Sequence, residues 1–238
     1  SNPGTEFMYE RSSLTVSDAV KAAHENSWRK IGNAGAFWTG TQRIAMVKAA
    51  RRSLECALCR DRKSALSPNL VSGNHDGATD LPAVIIDFVH RIRTDPGRIT
   101  RTVFQQVMDA GIDQGAYIEA VSVVNSSVIV DTFHEGMGLE LCALPDVIDG
   151  QPDGLISGDA VHGGAWVPIA AAPSDVSETG LPTVPNIVRS MGLVPAAVDL
   201  FFGTFIPHYR LQDLDLAVSQ SQAEFIASRV SALNQCFY

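Results

Sequence analysis

The sequence predicts an all-α fold built from two helical repeats. Apolar residues recur at helical spacing through most of the chain, and no stretch keeps the strict alternation of a half-buried strand. Helix-opening Ser, Thr, Asp and Pro and helix-ending Gly and Pro punctuate the apolar segments at the places helices require. The last segment also echoes an earlier one, which points to internal repetition.

Ser1–Phe7 reads as an expression-vector remnant and is set aside. Val16–Lys30 is helix-like, with Ser17 or Asp18 as cap, and Gly32–Gly35 interrupts it. In the long segment from Thr41 to about Leu66, Ile44, Val47, Ala50, Leu54 and Leu58 recur at helical spacing until Ser67-Pro68 ends it. A Gly/Asn/Asp loop runs to Thr79. Asp80 and Pro82 then open a helix that buries Val84, Ile85, Phe88, Val89 and Ile92 and stops at Asp95-Pro96-Gly97. Thr100–Ala110 is a short amphipathic helix closed by Gly111. Asp113–Met137 is apolar nearly all round and is expected to be the central helix. From 144 to 184 Pro, Gly, Asp and Ser dominate, around an apolar island at Ala165–Ala172, and this region reads as a linker. Helical pattern returns at Asn186–Met191, at Pro195–Tyr209 and from Leu214 onward. The expected organisation is a first repeat over 14–143, a linker over 144–184 and a second repeat over 185–238.

Charged residues make up 18% and hydrophobic residues 45% of the 238, an ordinary globular composition. The net charge of −8 argues against nucleic acid as a general partner. No apolar run approaches the roughly 20 residues a membrane span needs, so no membrane partner is expected. No signal peptide follows Met8, and four unevenly spaced cysteines do not make a secreted framework. A reducing, cytoplasmic setting is the expectation.

Chemistry concentrates in Arg51–Lys63, where Cys56 and Cys59 form a Cys-x-x-Cys pair between basic residues. Aligning Cys56 on Cys236 superimposes Thr41-Gln42 on Ser221-Gln222 and Met46-Val47 on Ile226-Ala227, so two amphipathic helices deliver a cysteine at the same offset. The segment Gln222–Tyr238 resembles the active-site helix pair of the alkylhydroperoxidase D-like (carboxymuconolactone decarboxylase) superfamily. There a glutamate precedes Cys-x-x-Cys by about three helical turns, and a histidine follows one turn after the second cysteine. The resemblance assigns Glu224 to the glutamate and Cys236 to the first cysteine. Pro185–Val188 with Val194-Pro195 resembles the family's lead-in helix, and Arg98–Leu139 its two helices downstream of the pair. Two departures matter in the first repeat: Ile44 stands at the glutamate position and Lys63 at the histidine position. The chain stops at Tyr238, before the second cysteine and the histidine would fall, so the second repeat reads as truncated.

The resemblance implies a thiol-dependent, peroxidase-like oxidoreductase acting on a small hydroperoxide or other small molecule and recycled by a dithiol reductant. Peroxide reacts with thiolate, so the site must favour that form. If the helix breaks near Ser53, that serine caps a new helix and the first-turn amides stabilise Cys56. Arg52 and Arg60 flank Cys56 at i−4 and i+4, while Cys59 has Lys63 at i+4 and Glu55, a candidate base, at i−4. With neither glutamate nor histidine in register, the first site is expected to be slow or inert. Glu224 and Cys236 lie roughly 18 Å apart on an unbroken helix, so they meet only if it breaks, for which Ser231 or Asn234 is a candidate.

Other readings stand beside this one. Buried thiols pack well without reacting, and the fold can serve as a non-catalytic scaffold or binding protein. His134-Glu135 on an otherwise apolar helix offers a cofactor-independent decarboxylase or lyase on a small acid. Half of a zinc site is a further reading of the cysteine pair. Cys142 and Cys236 lack partner spacing, however, and His75 and His90 are scattered, so neither metal nor cofactor is expected. A truncated second repeat exposes Phe225, Ile226, Val230 and Phe237, which predicts a homo-oligomer, a dimer or larger.

Overall fold

The computed structural model describes residues 8–77, 80–171, 184, 186–209 and 217–233. These are predominantly helical: α1 (Asp18–Gly32), α2 (Gly40–Arg52), α3 (Ala57–Ser64), α4 (Ala83–Thr94), α5 (Arg101–Asp109), α6 (Gln114–Gly136), α7 (Asn186–Ser190), α8 (Pro195–Phe205) and α9 (Gln220–Leu233). A two-residue antiparallel pair, β1 (Ala160–Val161) with β2 (Ile169–Ala170), is the sheet among them.

The caps follow the sequence. The Ser17 hydroxyl accepts the Val20 amide at the start of α1, and Thr39 with Gln42 forms a capping box on α2. Gly111, at φ +83°, closes the turn after α5 in the left-handed region that glycine alone enters cheaply. The helical segment expected from Thr41 to about Leu66 does break near Ser53, into two helices. The chain leaves helical geometry after Ser53, which is the C-cap of α2 and donates its hydroxyl to the Ala50 carbonyl, and α3 restarts with Cys56 as N-cap. Ser53 therefore caps nothing downstream, and Arg52 loses the helical register that would have set it beside Cys56.

α6 is the axis of the core, as its all-round apolar pattern predicts. Ile118, Ala120, Val123, Val124 and Val130 are buried along it, and α2, α4 and α8 pack on its faces. Small residues let neighbours approach closely. A Cβ on Gly115 would stand 2.2 Å from the Phe37 ring, and Ser122 donates to the Ala197 carbonyl of α8 at 2.7 Å. Polar residues staple the layers. Arg51 makes a two-pronged bond to Asp131 at 2.8 Å on each arm and also reaches the Cys142 carbonyl at 2.9 Å, so it is no solvated basic residue. Glu119 and Arg43 form a buried ion pair at 3.3 Å.

From the end of the expected first repeat into the expected linker, residues 139–158 run over the helices as a strap held by the backbone. The amides of Ile148, Gly154 and Ser157 donate to the carbonyls of Gly32, Ala36 and Leu193. No helix among the described residues is long and apolar enough to cross a membrane.

His24, His134 and His208 gather beneath Tyr9. His24 Nε2 lies 2.7 Å from His208 Nε2, Tyr9 bonds the other ring nitrogen, and the His134 ring stacks alongside. One proton fits between the two facing nitrogens. Burial, then His208 and His134, lower the His24 pKa to about 3. The folded state thus holds His24 neutral while the unfolded chain protonates it near 6.5. Stability from this group is complete above about pH 6.5 and drains away as pH falls towards 3, at up to about 1.4 kcal/mol per pH unit. Urea midpoints measured from pH 7 to pH 4 should fall accordingly; a flat profile would contradict this account.

Candidate active site

The break after α2 shapes the site. Because Cys56 is the N-cap of α3, Cys59 falls on its third residue, and the Cys59 amide at the helix start bonds the Cys56 sulfur. Both side chains are buried, at 1% and 5% exposure. Asp76 accepts the Ala57 amide at 3.0 Å and ties the following loop to the same helix start.

That loop carries His75 back over the pair. His75 Nδ1 is 3.6 Å from Cys56 Sγ and 3.7 Å from Cys59 Sγ. Its Nε2 bonds Asp87 of α4 at 2.8 Å, and Asp87 in turn takes bonds from Arg62 and from Arg91 Nε at 2.7 Å. One turn along α4, His90 turns Nδ1 towards Cys59 Sγ at 3.2 Å. Arginines hold the loop in place: Arg62 donates to the Val71 carbonyl, Arg91 to Asn69, and Arg98 to the carbonyls of Arg62, Lys63 and Ala65. The potential ligand atoms of Cys56, Cys59, His75 and His90 all lie within 4.8 Å of one another. These histidines looked scattered along the chain; the fold gathers them.

The electrostatics match the geometry. Burial alone would raise the Cys56 thiol, but hydrogen bonds from the Asp76 and Cys59 amides and from His75 outweigh it and lower its pKa. Burial opposes charge on His75, yet Asp87 and the two sulfurs carry its pKa up to about 10. Asp87, which burial would raise, is held well below the carboxylate range by His75, Arg62 and Arg91. His90 is pushed down to about 4 by burial and by the charge on His75. The arrangement lines up a thiol of lowered pKa, an imidazole whose charged form is favoured and a carboxylate, with an imidazole whose neutral form is favoured beside them.

A cleft of about 450 Å³, lined in part by Cys59, Arg60, Lys63 and Arg93, opens beside the pair. Lys63 thus stands at the mouth of the site. Glu55 is exposed in the turn before α3, and the sulfurs take their contacts from imidazoles instead. His134 is buried on α6 with Nδ1 bonded to the Val130 carbonyl, among Tyr9, His24 and Phe133, apart from the cysteine pair. Glu224 bonds Tyr209 at 2.8 Å and Gln220, and α9 runs unbroken through Ser231. Cys236 and Phe237 lie outside the described residues. Sequence reasoning missed His75, Asp87 and His90. Asp87 and His90 left a trace, a polar stripe one turn long on an apolar helix, whereas His75 left none.

Comparison of the chain with protein-family models, curated proteins and solved structures finds no match.

Proposed function

We propose that the chain is a dithiol oxidoreductase that reduces hydroperoxides through Cys56 and Cys59, with His75 as its acid–base group. The observation that carries this reading is the near-equal distance of His75 Nδ1 from the two sulfurs, 3.6 and 3.7 Å, with Asp87 behind the ring. A scaffold needs no such alignment. The resemblance of Arg51–Lys63 and Gln222–Tyr238 to alkylhydroperoxidase D-like repeats supports the same chemistry, with residues 185–238 read as part of a second repeat. His75, arriving from the loop, stands in for the imidazole that Lys63 displaces from the helix.

Cys59 lines the cleft and meets the substrate. The resting site holds one proton between the two sulfurs and one on His75 Nδ1. The shared proton passes from Cys59 Sγ to Cys56 Sγ as Cys59 attacks the distal oxygen of the hydroperoxide; the O–O bond breaks, and the departing alkoxide takes the His75 proton to leave as alcohol. Cys56 then attacks the Cys59 sulfenic acid; the S–S bond forms, and hydroxide leaves with the remaining proton as water. Two sulfurs have lost two electrons and the peroxide has gained them. A small dithiol returns the electrons by exchange. Arg60, Lys63 and Arg93 at the cleft favour a substrate that carries negative charge.

The test is to treat reduced, chelator-washed protein with cumene hydroperoxide and map its thiols by mass spectrometry. A Cys56–Cys59 disulfide formed in proportion to peroxide consumed is expected; unreacted thiols, or sulfinic acid without disulfide, would sink the reading. The exposed Phe225, Ile226, Val230 and Leu233 on α9 fit a contact with a second copy of the chain. Sedimentation at micromolar concentration should then show a dimer or larger, and a clean monomer counts against it.

A further inference from the structure

One imidazole suffices to serve a hydrogen-bonded dithiol, and His75 already does so. His90 is a second, buried imidazole whose Nδ1 faces Cys59 Sγ at 3.2 Å. We propose that Cys56, Cys59, His75 and His90 form a four-coordinate site for zinc(II), and that metal-bound and disulfide forms are alternative states of the same pair.

The donor set is two sulfurs and two imidazole nitrogens, the composition that selects zinc among common divalent ions. Bonds of about 2.3 Å to sulfur and about 2.0 Å to nitrogen at tetrahedral angles set sulfur–nitrogen edges near 3.5 Å. Three of the four such separations are 3.6, 3.7 and 3.2 Å, and the fourth, Cys56 to His90, lies within 4.8 Å. All four atoms fit within 4.8 Å of one another, so a single central ion reaches each with side-chain adjustments of up to about an ångström. The outer shell is also present. Asp87 accepts the His75 Nε2 proton at 2.8 Å, which leaves Nδ1 as the ligating nitrogen, and Arg62 and Arg91 fix that carboxylate.

The ligands come from three places: the start of α3, the loop before α4, and α4 itself. Hydrophobic packing around the pair is thin, a small cluster of Cys56, Leu58, Cys59 and Val71 separate from the main core. A metal joining three elements supplies the cohesion that this cluster lacks. Binding to the reduced site releases the proton held between the sulfurs and the one on His75 Nδ1, and leaves both sulfurs as thiolates. Oxidation reverses it: a hydroperoxide and two protons convert the zinc-bound thiolates to disulfide, alcohol, water and free zinc(II). Metal binding stands on ligand geometry alone, whereas the alternation of states rests on the dithiol reading above.

The test uses the full chain, reduced and stripped with chelator. Cobalt(II) is added first, as a spectroscopic stand-in for zinc. Intense visible bands of a tetrahedral site with thiolate-to-cobalt charge transfer, saturating at one equivalent and bleached by zinc(II), are the expected result. Asp87→Asn, which keeps all four ligands, should weaken zinc binding about 10- to 100-fold in a competition with a colorimetric chelator. His90→Ala should remove the tetrahedral spectrum, with circular dichroism reporting whether the variant folds. An octahedral spectrum, or binding that survives alkylation of both thiols, overturns the proposal. So does absence of binding in protein whose thiols still form the disulfide with peroxide, a result that leaves the dithiol reading intact. Zinc binding without peroxide-driven disulfide after stripping supports the metal site and removes the alternation together with the dithiol reading.

Discussion

Replacing His75 with alanine is expected to slow peroxide-driven disulfide formation by about 10²- to 10⁴-fold, the usual contribution of a positioned acid–base group. The side chain sits between the two sulfurs and contacts both, so its loss removes the proton that the leaving alkoxide takes. It does not strand a buried charge, because Asp87 keeps Arg62 and Arg91 as partners. The fold should therefore survive, and added imidazole should restore part of the rate. The measurement is stopped-flow loss of free thiol on chelator-washed protein at fixed peroxide. A rate within threefold of wild type would remove His75 from the mechanism. Asp87→Asn should have a smaller effect in the same direction, since it orients and charges His75 without touching substrate.

The second large effect concerns folding. Glu119→Ala should destabilise the chain by about 3–5 kcal/mol, the range for breaking one side of a buried ion pair. Glu119 is 1% exposed. It accepts the Phe37 amide at 2.6 Å and faces Arg43, whose Nη1 also donates to the carbonyls of Lys30 and Asn33. Burial raises the Glu119 pKa and lowers that of Arg43, while each partner offsets the other. Removing the carboxylate leaves Arg43 charged and uncompensated, and frees an amide in the loop between α1 and α2. Even the paired change Arg43→Met with Glu119→Met restores only part of the loss, because the Phe37 amide still lacks its acceptor. Equilibrium denaturation of the single variant checks the value, and a loss below 1 kcal/mol would show that the pair is dispensable.

Much of the helical frame was legible. α1, α4, α5 and α6 follow from caps, periodicity and turn residues close to where they were expected, because each carries its own start, face and stop. The break between α2 and α3 was legible only as a condition placed near Ser53: Leu54 and Leu58 continue the apolar spacing across it, and Ser53 bonds back to Ala50 instead of capping the next helix. The cysteine pair announced itself by spacing. Its partners did not, since His75 and His90 reach it from 16 and 31 residues further along the chain than Cys59. Their approach depends on arginine bonds to loop carbonyls, which leave no periodic trace. Reading the pair as short of an imidazole was sound along the helix and incomplete in space.

The strap over 139–158 has a consequence for how freely the chain can vary. Its anchoring bonds at Ile148, Gly154 and Ser157 run from its own amides to carbonyls of Gly32, Ala36 and Leu193, so no side chain is specified by them. The burden falls on the surface it crosses. A Cβ at Gly32 would stand 2.3 Å from the Asp146 carbonyl oxygen, too close for any larger residue unless the strap moves. The route is written in the end of α1 and the loops at Ala36 and Leu193 that receive it, and the strap's exposed residues are open to drift in sequence while its path stays put.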